Sequence, residues 1–564
     1  MPILKMGILV APSLALLWLI KRFGVNSIYA DDWDMVGVYE KAVAGTLHLS
    51  DLFMQHNEHR LFFPRIAMLA LELPTHFSSL PVMFFSWLLA FGTATIIFYT
   101  FLSKFDVKNL QQLAFFIPVS LLIFSFRQFE AVLGWFNCQW YLLAFGVVAA
   151  FCLLEKSKST DHWFGLSLLS AILASFSMLL GLLVWPAGLL QLLLSTKWFR
   201  QKNRIAIWSI TGLAAIGLYL YGFDLFPSGN TLRSSRSLLS TGAYALAWIG
   251  GPFVWEPAYL AATVGAVICL LGVIVILQAY RLKLIGKNRL WVSMMAYAAL
   301  AALVTGFGRG GLGWGEALVS RYTVVSVIGI IGLYLLAKSV SDKRNGRGRW
   351  SFGFHSVLAL VMISLLVSTG AGLYAAQKLK NNDEMYAYIL GTYKMQSDAN
   401  LVRFLVADPV LVREDANFLE DHSLNVFSEP SFNPYGESAS RIGNNTLFDF
   451  EISDVPNVNG CVEINSSAVD TVTITGWAID SRANMVAGGV FITVDGNMQI
   501  PTLYGLSQQD VASHLGNKFL HSGFIAMFSS HYLAPGEHHL TLMVVGATFG
   551  YVYSPLGDLC IAIS

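Results

Sequence analysis

The chain has little charge and few cysteines for its length. Only 13% of its 564 residues are Asp, Glu, Lys or Arg, whereas 55% are hydrophobic. A soluble globule of this size cannot bury that much apolar surface, so the bilayer must solvate a large part of the chain. The 36 basic and 35 acidic residues nearly cancel, so net charge gives no argument for nucleic acid or for an acidic partner.

The five cysteines form no Cys-x-x-Cys pair and no Cys/His spacing typical of zinc or iron–sulfur sites, which argues against a soft-metal centre. Cys461 and Cys560 lie near the two ends of the C-terminal region. They are a candidate disulfide if that region lies in an oxidising compartment. The sequence also lacks a P-loop, a Gly-x-Ser-x-Gly motif and a His-Glu-x-x-His motif.

Long apolar runs predict about eleven membrane-spanning helices. They lie near residues 3–20, 80–103, 112–127, 140–154, 163–181, 182–196, 205–222, 258–280, 290–307, 321–338 and 353–375. The first run is interpreted as a retained helix, because no small-residue cleavage site follows Lys21 and Arg22.

Basic residues predict the orientation of these helices. They gather in residues 156–158, 197–204, 281–289 and 338–349, and a cytoplasmic N-terminus places all four loops in the cytoplasm. This orientation depends on splitting residues 163–196 into two helices. The outer face then receives residues 21–79, 128–139, 223–257 and 308–320, together with the chain after about residue 376.

The expected fold class is a polytopic α-helical membrane domain over residues 1–377, whose first outer loop covers residues 21–79. Residues 33–45 and 60–72 of that loop read as amphipathic helices in the membrane interface. A helical connecting segment outside the cytoplasm is expected over residues 378–449. A β-sandwich is expected over residues 450–564, because residues 471–479, 488–497 and 538–546 alternate as strands do and Asp495-Gly496 is typical of a hairpin turn.

The densest group of reactive side chains lies in the first outer loop. Asp31 and Asp32 directly follow a membrane helix, and Glu58, His59 and Arg60 come later in the loop. Adjacent carboxylates at a bilayer surface favour proton transfer, so one aspartate is a candidate general base. Alternatively, the aspartates cap an interfacial helix and the later group is a solvated helix start. The aspartates are also candidate ligands of a divalent cation, Mg²⁺ or Mn²⁺.

The second outer loop mixes amides, a carboxylate and aromatic rings. Aromatic faces stack on the C–H groups of a sugar, and amides pair with its hydroxyls. The candidate sugar-binding residues are Glu58 of the first loop with Gln128, Glu130, Trp135, Asn137 and Gln139. An aromatic belt that anchors helices at the membrane interface is the alternative.

The fourth outer loop is rich in glycine over residues 308–316 and is followed by Ser320, Arg321 and Tyr322. Backbone N–H groups and the planar guanidinium groups of Arg309 and Arg321 suit a phosphate oxygen. Snorkelling of Arg321 to the interface is the alternative. In the third loop, Arg233 and Arg236 are weaker phosphate candidates.

Five short motifs give the chain a resemblance to a known superfamily. They are ADDWDM (30–35), HNEHRLFFPRI (56–66), QFEAVLGWFNCQW (128–140), LLVWPAGLL (182–190) and SRYT (320–323). Between residue 25 and about residue 430 the chain resembles the GT-C superfamily of membrane glycosyltransferases, and within it the phage-type, serotype-converting O-antigen glucosyltransferases.

The resemblance implies a hexosyltransferase in the inner membrane of a bacterium. Such an enzyme moves a sugar from a polyprenyl-phosphate donor to a surface polysaccharide or glycolipid on the outer face, with inversion at the anomeric carbon. An acidic residue of the first loop is its base, and by position this is Asp32 or else Asp31. The basic side chains implied to meet the donor phosphate are Arg321, His59, Arg60 and Arg309.

Three other functions remain open from the residues alone. A polysaccharide polymerase or ligase requires a large outer loop between late helices, whereas here the longest outer loop is the first and is acidic. A transporter of lipid-linked glycans requires ionisable residues at the membrane midplane, and the predicted spans have almost none. A scaffold or adhesion role is the third alternative.

Overall fold

The computed structural model describes residues 2–105, 107, 109–157, 161–195, 198–224, 237–344, 349–428, 440–442, 446–452, 461–547, 551–553 and 558–564. The chain divides into two compact units. Unit 1 comprises Met1–Gly24, Lys41–Thr75 and Ser79–Lys380, and unit 2 comprises Val25–Glu40, His76–Ser78 and Asn381–Ser564.

Helices dominate the N-terminal two thirds of the chain. In chain order, the α-helices of the described residues are α1 Pro2–Phe23, α2 Trp33–Val43, α3 Leu49–Phe53, α4 Phe62–Glu72, α5 Leu80–Lys104, α6 Leu110–Ala114, α7 Ile117–Ile123, α8 Phe129–Leu133, α9 Cys138–Lys156, α10 Asp161–Ser175, α11 Val184–Leu193, α12 Lys202–Leu220, α13 Leu238–Gly250, α14 Ala258–Arg281, α15 Arg289–Arg309, α16 Thr323–Lys343, α17 Arg349–Gly391, α18 Asp398–Leu405, α19 Pro409–Asp421 and α20 Gln509–Leu515. Helices α2 and α4 confirm the two amphipathic helices predicted in the first loop.

Seven helical segments among the described residues are long and apolar enough to cross a membrane. They are Leu80–Lys104, Leu110–Leu133, Trp135–Lys156, Lys202–Leu220, Ala258–Arg281, Arg289–Leu312 and Ser320–Lys343, and each overlaps one predicted span. A run of roughly twenty apolar residues is the signal that locates them. The second segment is not one straight helix, because α6, α7 and α8 lie within it.

The four remaining predicted spans also fall on helices. Residues 3–20 lie in α1, and residues 353–375 lie in the 43-residue helix α17. Residues 163–196 split into α10 and α11, which a short 3₁₀ segment, Leu179–Leu183, separates. The predicted division of that run into two helices is therefore confirmed, whereas the count of eleven membrane crossings stays a prediction.

Helix α13 is absent from the prediction, which treated residues 223–257 as a polar loop. It has 13 residues, fewer than the roughly twenty of a membrane-spanning run, so its length does not mark it as a span in the sequence. It packs closely on α14: a Cβ atom on Gly250 would lie 2.0 Å from the carbonyl oxygen of Ala261, and one on Gly265 would lie 1.9 Å from that of Leu246. Small residues permit such close helix contacts. Arg233 and Arg236 lie outside the described residues.

Unit 2 is rich in strands after residue 440. After the short pair β1 Gln55–His56 and β2 His59–Arg60 of unit 1, the strands are β3 Ser440–Ile442, β4 Thr446–Ile452, β5 Val462–Ile464, β6 Thr471–Asp480, β7 Met485–Val486, β8 Gly489–Val494, β9 Met498–Pro501, β10 Leu503–Leu506, β11 Gly523–Ser529, β12 Gly536–Val545, β13 Tyr551–Tyr553 and β14 Asp558–Ile563. One sheet has the order β10-β11-β6-β4, with β7 beside β6. The other has the order β3-β13-β12-β14-β5, with β8 beside β12 and β9 beside β8.

Strands of both sheets contribute to one hydrophobic core, for example through Ile474 of β6, Phe524 of β11 and Leu542 of β12. The three predicted strands are confirmed in β6, β8 and β12. The predicted hairpin turn is also confirmed, because Asp495 and Gly496 both have positive φ between the paired strands β8 and β9. That backbone conformation favours the Asp-Gly sequence.

The predicted disulfide is present. Cys461 and Cys560 are bonded, with their Cα atoms 4.3 Å apart. The parallel pairing of β5 with β14, in which Val462 lies opposite Ile561, brings the two cysteines side by side. The bond links positions 99 residues apart in the chain.

Candidate functional site

A small hairpin holds the charged group of the first loop in unit 1. Strands β1 and β2 pair His56 with His59, and Asn57 in the turn has φ +48°. The guanidinium of Arg60 donates hydrogen bonds to the carbonyl oxygens of Phe53, Tyr219 and Tyr221 at 2.7, 2.6 and 2.5 Å. Arg60 therefore fastens the hairpin to the end of α12.

The hairpin presents Glu58 and His59 to a cavity of about 370 Å³, which we call the Arg309 cavity. Most of its wall is apolar. It is lined by Glu58, His59, Trp140, Met178, Leu179, Leu180, Phe223, Val304, Thr305, Phe307, Gly308, Arg309 and Tyr322. Val304 and Phe307 are 37% and 59% exposed, so this cavity continues to the outer surface of α15.

An ion pair forms the polar end of the Arg309 cavity. Arg309, the last residue of α15, donates from Nη2 to Oε1 of Glu58 at 2.5 Å and from Nη1 to the hydroxyl of Tyr322 at 3.0 Å. Burial acts to raise the pKa of Glu58, but His59 and Arg309 outweigh it and lower that pKa to about 2. Glu58 is therefore ionised at neutral pH.

His59 is the second polar group of this cavity. Burial lowers the pKa of its imidazole to about 4, so His59 is neutral at neutral pH. Its Nδ1 is buried and has no hydrogen-bond partner among the described residues. Its Nε2 lies 3.8 Å from Oε1 of Glu58.

Aromatic side chains hold the Arg309 partner Tyr322 in place. The rings of Trp140 and Tyr322 meet edge to face, with centroids 5.4 Å apart. Trp248 of α13 packs against Tyr322 at 6.4 Å, and Tyr244, one turn earlier in α13, donates to the carbonyl oxygen of Glu316 at 3.2 Å. Helix α13, which the sequence did not predict, therefore supports the cavity.

A second cavity of about 710 Å³, the Arg321 cavity, also lies in unit 1. It is lined by Arg127, Phe129, Glu130, Trp255, Glu256, Pro257, Ala258, Gly315, Glu316, Leu318, Val319, Ser320 and Arg321. Arg321 forms an ion pair with Glu130, and the backbone N–H of Glu130 donates to Oγ of Ser320 at 3.0 Å.

The structure separates the predicted phosphate ligands. His59 and Arg309 line one cavity and Arg321 lines the other. Arg60 lines neither, because backbone carbonyl oxygens bind its guanidinium. Arginines with the same apparent role in the sequence thus have three different surroundings.

Of the predicted sugar ligands, Glu58 lines the Arg309 cavity and Glu130 the Arg321 cavity. The other four line neither. Gln128 donates to the carbonyl oxygen of Leu122 at 2.9 Å and accepts from Tyr141 at 3.2 Å, and Asn137 donates to the carbonyl oxygen of Glu130 at 3.2 Å. Trp135 and Gln139 are buried. The hydrogen bonds of Gln128 and Asn137 join parts of residues 122–141 to one another. The role of all four side chains in sugar binding stays a prediction.

The two aspartates of the first loop lie in unit 2, in a 3₁₀ turn that precedes α2. Asp31 is exposed and Asp32 is half-buried. Oδ2 of Asp32, at the third position of this turn, accepts the backbone N–H of Tyr29, the residue before the turn, at 2.9 Å. The ring of Tyr29 stacks on that of Tyr386 with centroids 4.3 Å apart.

Sequence reasoning did not single out Asp383, which lies late in α17 and also belongs to unit 2. It is 8% exposed. Burial, with a smaller contribution from Glu384, raises the pKa of Asp383 to about 8. In the sequence, Asp383 is a carboxylate a few residues beyond the apolar run 353–375. Such a position is typical of a solvated helix end and does not indicate burial.

The predicted cation site stays a prediction. Among the described residues, one group of three side chains brings possible metal-ligand atoms within 4.8 Å of one another, namely Cys461, Glu537 and Cys560. Both of its cysteines form the disulfide.

Comparison of the chain with models of known protein families and with curated protein sequences finds no match. The fold alone therefore gives the general class of protein, which is a membrane protein with a strand-rich region. Among its described residues, the chain has seven helical segments of membrane-spanning length and composition, followed by a strand-rich C-terminal region.

Proposed function

We propose that the chain is an inverting glycosyltransferase of the GT-C type, with eleven membrane crossings and a C-terminal β-sandwich. It transfers a hexose from a polyprenyl-phosphate donor to a surface polysaccharide or glycolipid on the outer face of a bacterial inner membrane. The N-terminus and the four basic loops lie in the cytoplasm, and the C-terminal region lies outside it.

The observation that carries this proposal is the composition of the Arg309 cavity. A polyprenyl phosphate is a long apolar chain with an anionic head. The cavity offers an apolar wall that reaches the surface of α15 through Val304 and Phe307, and a single guanidinium at its polar end. An apolar lipid tail can therefore enter from the bilayer while its phosphate meets Arg309.

Arg309 is suited to stabilise the leaving group. As the bond from the anomeric carbon to the phosphate oxygen breaks, negative charge grows on the phosphate, and a preorganised donor lowers the barrier most where charge develops. Tyr322 and Glu58 hold the guanidinium in position. The phosphate competes with ionised Glu58 for this guanidinium. His59 is neutral and therefore contributes no charge to this competition.

The proposed base is Asp32, with Asp31 as the alternative. The base takes the proton of an acceptor hydroxyl, the hydroxyl oxygen bonds to the anomeric carbon, and the polyprenyl phosphate leaves with the electrons of the broken bond. Attack opposite the leaving group inverts the anomeric configuration. Asp32 is preferred because it is the more buried of the two and is therefore better shielded from bulk water.

The test is transfer of radiolabelled sugar from a panel of polyprenyl-phosphate donors to bacterial envelope glycan, using membranes that contain the full chain. Arg309→Gln is expected to lower transfer by about a hundredfold, and Arg309→Lys to restore part of it. The matched control is Arg403→Gln, because Arg403 is exposed in unit 2. Equal transfer by wild type and Arg309→Gln contradicts the proposed donor site. Transfer by none of the panel, with transport of a lipid-linked glycan instead, contradicts the proposed reaction.

A further inference from the structure

The Arg321 cavity differs in chemistry from the Arg309 cavity. It is lined by two aromatic rings, three carboxylates and two guanidinium groups, whereas the Arg309 cavity is mainly apolar. The charged groups make this wall less favourable for an apolar lipid tail than the wall of the Arg309 cavity, although aliphatic side chains also line it. The residues instead suit a ligand with both C–H faces and hydroxyl groups.

The aromatic part of the wall is rigidly held. The rings of Phe129 and Trp255 are nearly parallel, with an interplanar angle of 12° and centroids 5.9 Å apart. The guanidinium of Arg127 lies 4.3 Å from the centre of the Trp255 ring, and the indole N–H of Trp255 donates to Oγ of Ser368 at 3.4 Å. Fixed aromatic surfaces bind sugar C–H groups at a low cost in conformational entropy.

Arg127 is itself fixed and is not available to a ligand as a free cation. It is buried and donates to the carbonyl oxygens of Gly251 at 3.1 Å and Leu318 at 2.5 Å. Its role is to position Trp255 and to join three segments of unit 1.

The remaining charges disfavour an anionic ligand. Arg321 is neutralised by Glu130, and Glu256 and Glu316 are exposed at the cavity wall. The three carboxylates therefore exceed the two guanidinium groups by one negative charge, which repels a phosphate or a uronate. Their oxygens accept hydrogen bonds from hydroxyl groups. Among the described residues, these carboxylates do not form one of the close groups of three that could hold a metal ion.

We infer that the Arg321 cavity binds an uncharged sugar ring of the acceptor glycan, with Trp255 and Phe129 against its C–H face and Glu130, Glu256 and Glu316 facing its hydroxyls. The term acceptor rests on the proposed function, whereas binding of a neutral sugar does not.

A direct binding experiment tests this inference on the purified full chain in nanodiscs. Saturation-transfer NMR and calorimetry are run with a panel of neutral hexose oligosaccharides and with uronic-acid oligosaccharides of equal length. Wild type is expected to bind members of the neutral panel at least tenfold more tightly than the acidic ones. Trp255→Leu is expected to weaken binding by about tenfold. The control is Trp18→Leu, because Trp18 is exposed on α1.

The outcomes separate the two proposals. The inference is supported if neutral oligosaccharides bind, Trp255→Leu weakens that binding and Trp18→Leu leaves it unchanged. This holds even if no donor gives transfer and the proposed function fails. Tighter binding of the acidic oligosaccharides, no binding by the neutral panel, or equal neutral binding by Trp255→Leu and wild type overturns it. If Trp255→Leu does not fold, Glu256→Gln, at an exposed position, is measured in its place and is expected to weaken neutral binding about threefold.

Discussion

Glu58 and Arg309 are 251 positions apart in the chain, and Glu130 and Arg321 are 191 apart. Charged residues at the ends of apolar runs are visible in the sequence, and the structure places some of them in the walls of the two cavities. The sequence does not predict the pairing, because pairing depends on which helices are neighbours, and that arrangement has no local pattern. For the same reason Arg309 and Arg321 seemed equivalent in the sequence, although they line different cavities.

At this scale the clearest test concerns Asp383. Its pKa is about 8 in the folded chain against an ordinary value of 3.8, so the folded state retains a proton that the unfolded state releases. The free energy of unfolding therefore falls as pH rises from about 4 to about 8. We expect Asp383→Asn to match wild type near pH 4 and to be more stable by a few kcal/mol near pH 8.

Hydrogen exchange of residues 381–391, compared between wild type and Asp383→Asn at each pH, checks this expectation. The exposed Asp421→Asn is the control and is expected to change little at either pH. Equal protection of wild type and Asp383→Asn at pH 8 would show that the buried carboxylate does not hold its proton.

His59 gives a second prediction at the residue scale. Its pKa is lowered to about 4 by burial, so protonation is easier in the unfolded chain, where the ordinary value is 6.5. The free energy of unfolding therefore falls as pH falls from about 6.5 toward 4, because the unfolded chain takes up a proton on His59 that the folded chain does not. The melting temperature of wild type is expected to fall more steeply over this range than that of His59→Gln. Parallel curves for the two proteins count against a buried neutral imidazole.

At the scale of elements, local patterns predict the long apolar segments of unit 1 and three of the strands of unit 2. Apolar runs locate the seven long apolar segments of the described residues, and alternation locates β6, β8 and β12. Helix α13 was missed because its apolar stretch is short, although its glycines and its aromatic residues are visible in the sequence. Only the structure shows that Gly250 faces α14 and that Tyr244 and Trp248 lie near the Arg309 cavity.

The contact of α13 with α14 gives a prediction for Gly265 of α14, with a control, Gly242, on the partner helix α13. A methyl group on Gly265 would clash with a backbone oxygen of α13, whereas Gly242 of α13 has nothing within 4 Å of its would-be Cβ. We expect Gly265→Ala to destabilise the chain by about 1–3 kcal/mol and Gly242→Ala to be neutral or slightly stabilising. Thermal unfolding in detergent measures both. Equal melting temperatures for the two variants would refute the close packing of α13 on α14.

At the scale of the whole molecule, the disulfide bears on orientation. Disulfides persist in oxidising compartments and are rare in the cytosol. We expect Cys461 and Cys560 to resist thiol labelling in intact cells, and Cys461→Ser to expose Cys560 to a maleimide reagent that does not cross membranes. Labelling of Cys560 in that variant only after cell permeabilisation would place the C-terminal region in the cytoplasm and reverse the proposed orientation.

The sequence also does not predict how the chain divides into units. Residues Val25–Glu40, which include Asp31 and Asp32, belong to unit 2 although they lie between α1 and the other helices of unit 1. Contacts between segments so far apart in the chain leave no periodic signal. The sequence around the aspartates predicts a helix start, and the 3₁₀ turn with α2 after it confirms that start. The sequence does not predict which part of the fold surrounds it.

The central proposal is that a carboxylate of the first loop is the base of a sugar transfer. The measurement is transfer of radiolabelled sugar from the polyprenyl-phosphate panel, comparing wild type, Asp31→Asn and Asp32→Asn at matched membrane expression. The account predicts a loss of about a hundredfold or more in Asp32→Asn and near-normal transfer in Asp31→Asn. Wild-type transfer in both variants would reduce the two aspartates to helix caps and contradict the mechanism.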